Sequence, residues 1–286
     1  MILFETLLVA IAVMPGPAAP AADTLLDLRR GDRIVIESLD GEVSIVAWNR
    51  DQLEVRGEAS DQEVLVRRVG SRVAVMHDDQ KGRRRHVEIT LRVPSWVDVE
   101  VDGRSLDVRI DGVGGRIEVG NVRGDVWVQN AAGAVAVRTM SGTIDVVGAT
   151  GGVSASSQSG DVTLRNVSGP LSVESGSGDI GIVNARSESV RVETLNGDIE
   201  FSGPIGTGDY GFFVHDGDAM IAIPADTNAR ISVSTFDGEF HSDFPVLIER
   251  FRGGREFGFT VGTGGARVQI QVFDGEIRLL RRREGG

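Results

Sequence analysis

The sequence predicts an all-β protein: a single elongated β-solenoid of about 18 residues per coil, with irregular β caps at both ends. Three observations carry that prediction. Glycine recurs at 115, 124, 133, 142, 151, 160, 169 and 178, each nine residues after the last, and again at 197 after one extra residue. Each glycine opens an alternation of apolar and variable residues, as in GRIEV, GDVWV, GTIDV, GDVTL and GDIGI. That alternation is the period-two signature of a strand with one buried face. Finally, two kinds of unit alternate, so the full repeat holds two strands and spans eighteen residues.

Taken along the chain, residues 1–22 read as a signal peptide. Leu7–Met14 is an apolar run too short to cross a bilayer, and it leads into a Pro- and Ala-rich stretch with small residues at Ala19 and Ala21. No basic residue precedes the apolar run and Glu5 sits at its start, so an uncleaved membrane anchor competes with cleavage. Residues 23–101 form an N-terminal β segment and cap, 102–203 the regular repeats, 204–281 further β repeats and a cap, and 282–286 a tail. The flanks carry divergent copies of one unit. Asp40-Gly41-Glu42-Val43 matches both Asp237-Gly238-Glu239-Phe240 and Asp274-Gly275-Glu276-Ile277.

Within 102–203 the buried columns can be written down. One layer buries Val126, Ile144, Val162, Ile180 and Ile199, with Val128, Val146, Leu164, Ile182 and Phe201 beside them. The facing layer buries Val135, Val153, Leu171 and Val190, with Val137, Ala155, Val173 and Val192. Nine residues allow a five-residue strand and a four-residue turn. Asn130, Gly148, Asn166, Asn184 and Gly203 recur between strands and predict a left-handed turn column. Ser141, Ser159, Ser177 and Asn196 close the other unit type. An antiparallel meander would also alternate two unit types, but it would leave these columns uncovered.

Composition supports the same reading and removes several functions. Thirty-eight Gly against 15 aromatics, at 41% hydrophobic content, requires a core of small branched side chains. With no Cys there is no disulfide framework, thiolate metal site or cysteine nucleophile. A net charge of −12 argues against nucleic acid, which needs a concentrated basic face. Arg83–Arg85 and Arg281–Arg283 are too short to serve as lipid-binding clusters and read as a solvated loop and a frayed terminus.

Along the chain come DGEVSIVAWNRDQLEVRG at 40–57, Val93-Pro94, the central Gly-Asp-Val/Ile strands, Ile223-Pro224-Ala225-Asp226 before ISVSTFDGEF, and the closing Asp274-Gly275-Glu276-Ile277. In that order they resemble the bacterial DUF4097 family, which carries an adhesin label inferred from its repeats. The resemblance covers residues 30–281 and implies a β-solenoid-like envelope or surface protein. It supplies no catalytic residue.

Candidate sites each meet a structural alternative. Asp125, Asp161, Asp179 and Asp198 form a column that would bind cations, or more simply accept backbone hydrogen bonds in their turns. Asp216-Gly217-Asp218 beside His215 is a weak isolated ion site. Gly206-x-Gly208-x-x-Gly211 matches a dinucleotide fingerprint but lacks the helix whose N-terminus receives the phosphates. Arg30-Gly31-Asp32 and Arg123-Gly124-Asp125 spell an integrin tripeptide by coincidence. His77, His86, His215 and His241 show no ligand spacing. The outward residues, Trp127, Asp145, Thr163, Gly181 and Glu200 on one face and Ala136, Ser154, Ser172 and Arg191 on the other, read as an ordinary solvated surface.

The expectation is therefore a non-enzymatic, exported envelope protein, an adhesin-like or scaffold solenoid located in the periplasm or at the cell surface. No catalytic, cofactor-binding or metal residue is named. The partner is an unidentified envelope or surface ligand, and self-association is left open. The alternatives are a bactofilin-like filament and a carbohydrate-active β-helix enzyme with a hidden carboxylate pair.

Overall fold

The computed structural model describes residues 24–57, 64–77, 87–248, 250–252 and 256–282. The expected signal peptide, Arg83–Arg85 and His86 lie outside the described residues, and so does Arg283. Every regular element among the described residues is a strand.

The strands are β1 (Thr24–Asp27), β2 (Arg33–Trp48), β3 (Gln52–Gly57), β4 (Val64–Val69), β5 (Arg72–His77), β6 (Val87–Pro94) and β7 (Asp98–Asp111). The central coils hold β8 (Ile117–Arg123), β9 (Val126–Gln129), β10 (Val135–Ser141), β11 (Ile144–Val147), β12 (Val153–Ser159) and β13 (Val162–Arg165). They continue with β14 (Leu171–Ser177), β15 (Ile180–Val183), β16 (Ser189–Asn196) and β17 (Ile199–Ser202). The chain closes with β18 (Asp209–Asp216), β19 (Ala219–Ile223), β20 (Ala229–Asp237), β21 (Phe240–Ser242), β22 (Arg250–Arg252), β23 (Glu256–Val261), β24 (Ala266–Asp274) and β25 (Ile277–Arg281).

Pairing between coils is parallel and in register, which excludes the meander. Val135 lies between Ile117 and Val153 in the long-strand layer, and Ile144 between Val126 and Val162 in the short-strand layer. β2 and β7 each run through both layers and pair with each other along most of their length. All four expected core columns form, and every member is at most 3% exposed. Burying a Val, Leu or Ile side chain stabilises by roughly 1.5–3 kcal/mol. The stacked columns are thus the main source of cohesion, with little aromatic bulk needed.

The two strands of a coil are unequal, seven and four residues, rather than five and five. The long strand runs on because its third inward position is polar but satisfied. Ser157, Ser175 and Thr194 are buried, and their hydroxyls donate to the carbonyls of Gly142, Gly160 and Gly178 at 3.3–3.4 Å. A hydroxyl there replaces the solvent that a corner would otherwise need. The opposite corner is the expected left-handed one. Asn130, Asn166 and Asn184 have φ of 54–58° and Gly148 has 71°. Gly203 is not among the positive-φ residues, so the column stops one coil earlier than the sequence suggests. Asn184 Nδ2 donates to Asn166 Oδ1 at 2.6 Å, continuing the stacking through side chains.

Glycine at the first corner is a steric requirement. At Gly160 φ is 142°, and a Cβ would fall 2.2 Å from the carbonyl oxygen of Gly142 in the coil below. The same approach repeats at Gly178, where a Cβ would lie 2.5 Å from the Gly160 oxygen.

At the ends, chain order and stacking order part company. β24 does not follow β20 outward; it sits between β18 and β20, while β25 lies between β19 and β21. The N-terminal end mirrors this, with β2 between β7 and the β5/β6 coil. Antiparallel strands then close the stack: β4 on β5, β3 on β6 and β1 on β3 at one end, and β23 on β20 with β22 on β23 at the other. These are the irregular caps, and they blunt the parallel edges that would otherwise template further pairing.

Candidate functional site

Most residues singled out in the sequence are consumed by the scaffold. The Asp column is a ladder between coils rather than within turns. Asp125 Oδ1 accepts the Thr143 N–H at 2.7 Å, Asp161 accepts Asp179, Asp179 accepts Asp198, and Asp198 accepts Asp218, at 2.8–2.9 Å. Asp218 in turn accepts the Glu276 N–H at 2.8 Å, which occupies one carboxylate oxygen of the Asp-Gly-Asp segment. Among the described residues no group of three or more His, Asp or Glu is arranged to hold a metal ion. The Gly206–Gly211 segment leads into strand β18, with no helix to receive a phosphate.

Neither integrin-like tripeptide is displayed for recognition. Asp32 is 7% exposed, accepts the Arg29 N–H at 2.8 Å and pairs with Arg68 at 3.0 Å. Asp125 belongs to the ladder. His241 lies 3.2 Å from Glu239 and 3.4 Å from Glu276. Arg281 packs over the Phe244 ring at 5.2 Å.

What remains is a surface formed by residues that the expected five-residue strands leave in the turns, two and four positions beyond Ala136, Ser154 and Ser172. On the outer face of the long-strand layer, outward side chains two residues apart on each strand border a trough. One wall carries Arg138, Ser156, Glu174, Glu193, Phe213 and Gln271; the other carries Met140, Gln158, Leu195, His215, Phe273 and Phe236. Two concavities of about 610 and 580 Å³ make up the trough and share Glu193 and Leu195 at their junction. From β8 to β20 it crosses eight strands, or about 34 Å at ~4.8 Å per strand.

The trough changes character along its length. Its middle is polar, with Arg191 and Glu193 paired at 2.9 Å. Its C-terminal end is aromatic: His215 stacks on Phe273 at 4.9 Å and Phe273 on Phe236 at 4.7 Å, the two Phe rings 9° from parallel. Phe236 and Phe273 remain 50% and 47% exposed.

Beside this end lies a third depression of about 860 Å³, bounded by Arg191, Gly211, Phe213, Arg230, Glu256 and Arg267 among others. The guanidinium of Arg191 covers the Phe213 ring at 4.6 Å. At its rim Arg267 donates two hydrogen bonds to Asp209, at 2.5 and 3.0 Å, and this bonding holds the Asp209 carboxyl below the usual carboxylate range. Below it, burial pushes the Tyr210 phenol up, while its hydroxyl donates to the Ser187 carbonyl at 2.5 Å.

The aromatic ladder had a signal in the sequence. His215, Phe236 and Phe273 each precede an Asp-Gly pair, so aligning the divergent copies places all three at one position. Their adjacency also needs β24 to sit between β18 and β20, which no spacing reveals.

A family model described as Toastrack DUF4097 matches residues 31–280. Among solved structures, a "putative cell adhesion protein" from Clostridium sporogenes is 10% identical, with 92% of this chain and 100% of that chain covered and a TM-score of 0.24. A "putative adhesin" from Parabacteroides distasonis is 9% identical, with 91% and 96% covered and a TM-score of 0.38. No curated protein matches this chain.

Proposed function

The chain belongs to the Toastrack DUF4097 family, and from that premise we propose that it is an exported, non-catalytic adhesin-like or scaffold solenoid that binds a cell-envelope ligand. The observation that carries this reading is the continuous concave face of the long-strand layer, polar in the middle and aromatic at one end. The Asp column, by contrast, is committed to the scaffold, each carboxylate accepting a backbone N–H of the next coil. A rigid parallel stack suits surface recognition because the groove's walls are held by backbone pairing and need little ordering on binding.

Export is inferred from the apolar run and small residues of positions 1–22. Fractionating the native host with an antibody against the protein, then sequencing the N-terminus of the recovered chain, tests it. We expect recovery in the periplasmic or surface fraction with a start near residue 23; cytoplasmic recovery with Met1 intact would overturn the placement.

The filament alternative loses support at the ends of the stack, where β1, β4 and β22 run antiparallel to the strands they cover. Sedimentation that is independent of concentration is the expected result.

A further inference from the structure

The trough on the long-strand layer has the dimensions and chemistry of a polymer site. We propose that it binds a neutral, linear glycan lying along the solenoid axis, with about one sugar ring per coil. The inference rests on the envelope-binding reading above and adds the ligand class and its seat.

Three features select this ligand. First, the trough is a sheet face whose backbone groups are already paired with the strands on both sides, as for Ser156 between Arg138 and Glu174. Recognition therefore falls to side chains, which removes the main-chain pairing by which extended peptides dock at strand edges. An extended peptide also advances about 3.3 Å per residue, out of step with side chains repeating every ~4.8 Å, whereas successive rings of a linear β-linked glycan keep nearly in step with the coils.

Second, the middle of the trough alternates hydrogen-bonding side chains with short apolar patches. Gln158 sits one strand from exposed Met140 and two strands from exposed Leu195, which are 54% and 53% exposed. Hydroxyls and amides of this kind match sugar hydroxyls, and the apolar side chains match the C–H faces of the rings. The concavity of about 610 Å³ at this point is within the range of built ligand sites.

Third, the charges cancel. Arg138 and Arg191 are balanced by Glu174 and Glu193 along the walls, and the chain as a whole carries −12. An acidic polymer would be repelled by that field and would find no unopposed basic cluster in the trough.

The test uses the full-length protein, titrated by calorimetry with cellohexaose and chitohexaose as neutral probes, and with hexagalacturonate and a Gly-Ser hexapeptide as rivals. Ser156→Trp fills the trough's first concavity, on the third of its eight strands, and Gln271→Ala removes one amide from the wall of the second. Ser154→Trp, on the same strand but outside the trough, is the control. Circular dichroism and the thermal midpoint establish that each variant is folded. We expect at least one neutral hexasaccharide to bind, a loss of tenfold or more in affinity with Ser156→Trp, a smaller loss with Gln271→Ala, and none with Ser154→Trp.

Binding only of hexagalacturonate or the peptide, equal binding by Ser156→Trp and Ser154→Trp, or no binding of either neutral probe would overturn the glycan assignment. Co-sedimentation with isolated bacterial envelopes separates the two levels of the proposal. Envelope binding that survives Ser156→Trp leaves the general reading standing and removes the groove, whereas no envelope binding by the unaltered protein removes both.

Discussion

Replacing Gly160 by alanine probes the reason for the nine-residue glycine repeat. The residue has φ of 142°, and its Cβ would lie 2.2 Å from the Gly142 carbonyl oxygen. Backbone strain in a region essentially restricted to glycine costs about 1–3 kcal/mol. Relieving the clash requires the coils to shift, and overpacking of this kind costs about 1–3 kcal/mol more, so the expected loss is about 2–6 kcal/mol. Gly181 provides the contrast. It lies within β15, and a Cβ there would meet nothing within 4 Å. Gly181→Ala should therefore be neutral or stabilising, by up to about 1 kcal/mol through reduced freedom of the unfolded chain. Urea unfolding of the two variants beside the parent protein measures the difference. A loss below about 1 kcal/mol for Gly160→Ala, or equal losses for both, would refute the steric account of the repeat.

Other perturbations test separate parts of the structure. Ile182→Ala empties a fully buried position and should cost about 2–5 kcal/mol by the same unfolding assay. Asp179→Ala removes the acceptor of the Asp198 N–H and should cost about 0.5–1.5 kcal/mol, with no effect of added calcium on the melting of either protein. The Asp209–Arg267 pair gives a pH signature: because the folded carboxyl titrates below its unfolded value of 3.8, the pair's stabilisation is complete above that value and disappears as pH falls through the lower folded one. Thermal melts should show a deficit for Asp209→Asn at neutral pH that closes below pH 3.8.

The central coils were legible because one spacing dictates everything about them. Once Ile144, Val162 and Ile180 recur at a fixed interval, their register and burial follow from the pleat. The unequal strand lengths were not legible. Ser157 and Ser175 look like turn residues, and only the carbonyls of the coil below, at Gly142 and Gly160, make them acceptable inside a strand. The Asp residues look like acceptors within their own turns, whereas each accepts an N–H of the next coil, a partner that only the stacking supplies.

The ends resisted the sequence for a different reason. Asp40-Gly41-Glu42, Asp237-Gly238-Glu239 and Asp274-Gly275-Glu276 are near copies, and similarity identifies a unit without naming its neighbour. Gly211 pairs with Gln269, 58 positions away, so the trough's aromatic end is assembled from segments that no local pattern connects. The trough was not legible because its walls, such as Ser156 and Gln158, lie where a five-residue strand would already have ended, and its aromatic residues lie in the divergent copies.

The order of the last coils is the claim on which the groove's aromatic end depends, and the absence of cysteine makes it directly measurable. Met220 and Arg278 are register partners on the outer face of the short-strand layer, with His241 one strand beyond Arg278. Adjacent strands bring Cα atoms to about 4.8 Å, inside the span of a disulfide, whereas two strand spacings, about 9.6 Å, exceed it. Oxidation of the double variant Met220→Cys/Arg278→Cys should give an intramolecular crosslink, and Met220→Cys/His241→Cys should not. The reverse outcome would mean that the last coils stack in chain order, separating Phe273 from its place between His215 and Phe236 and removing the aromatic end of the trough.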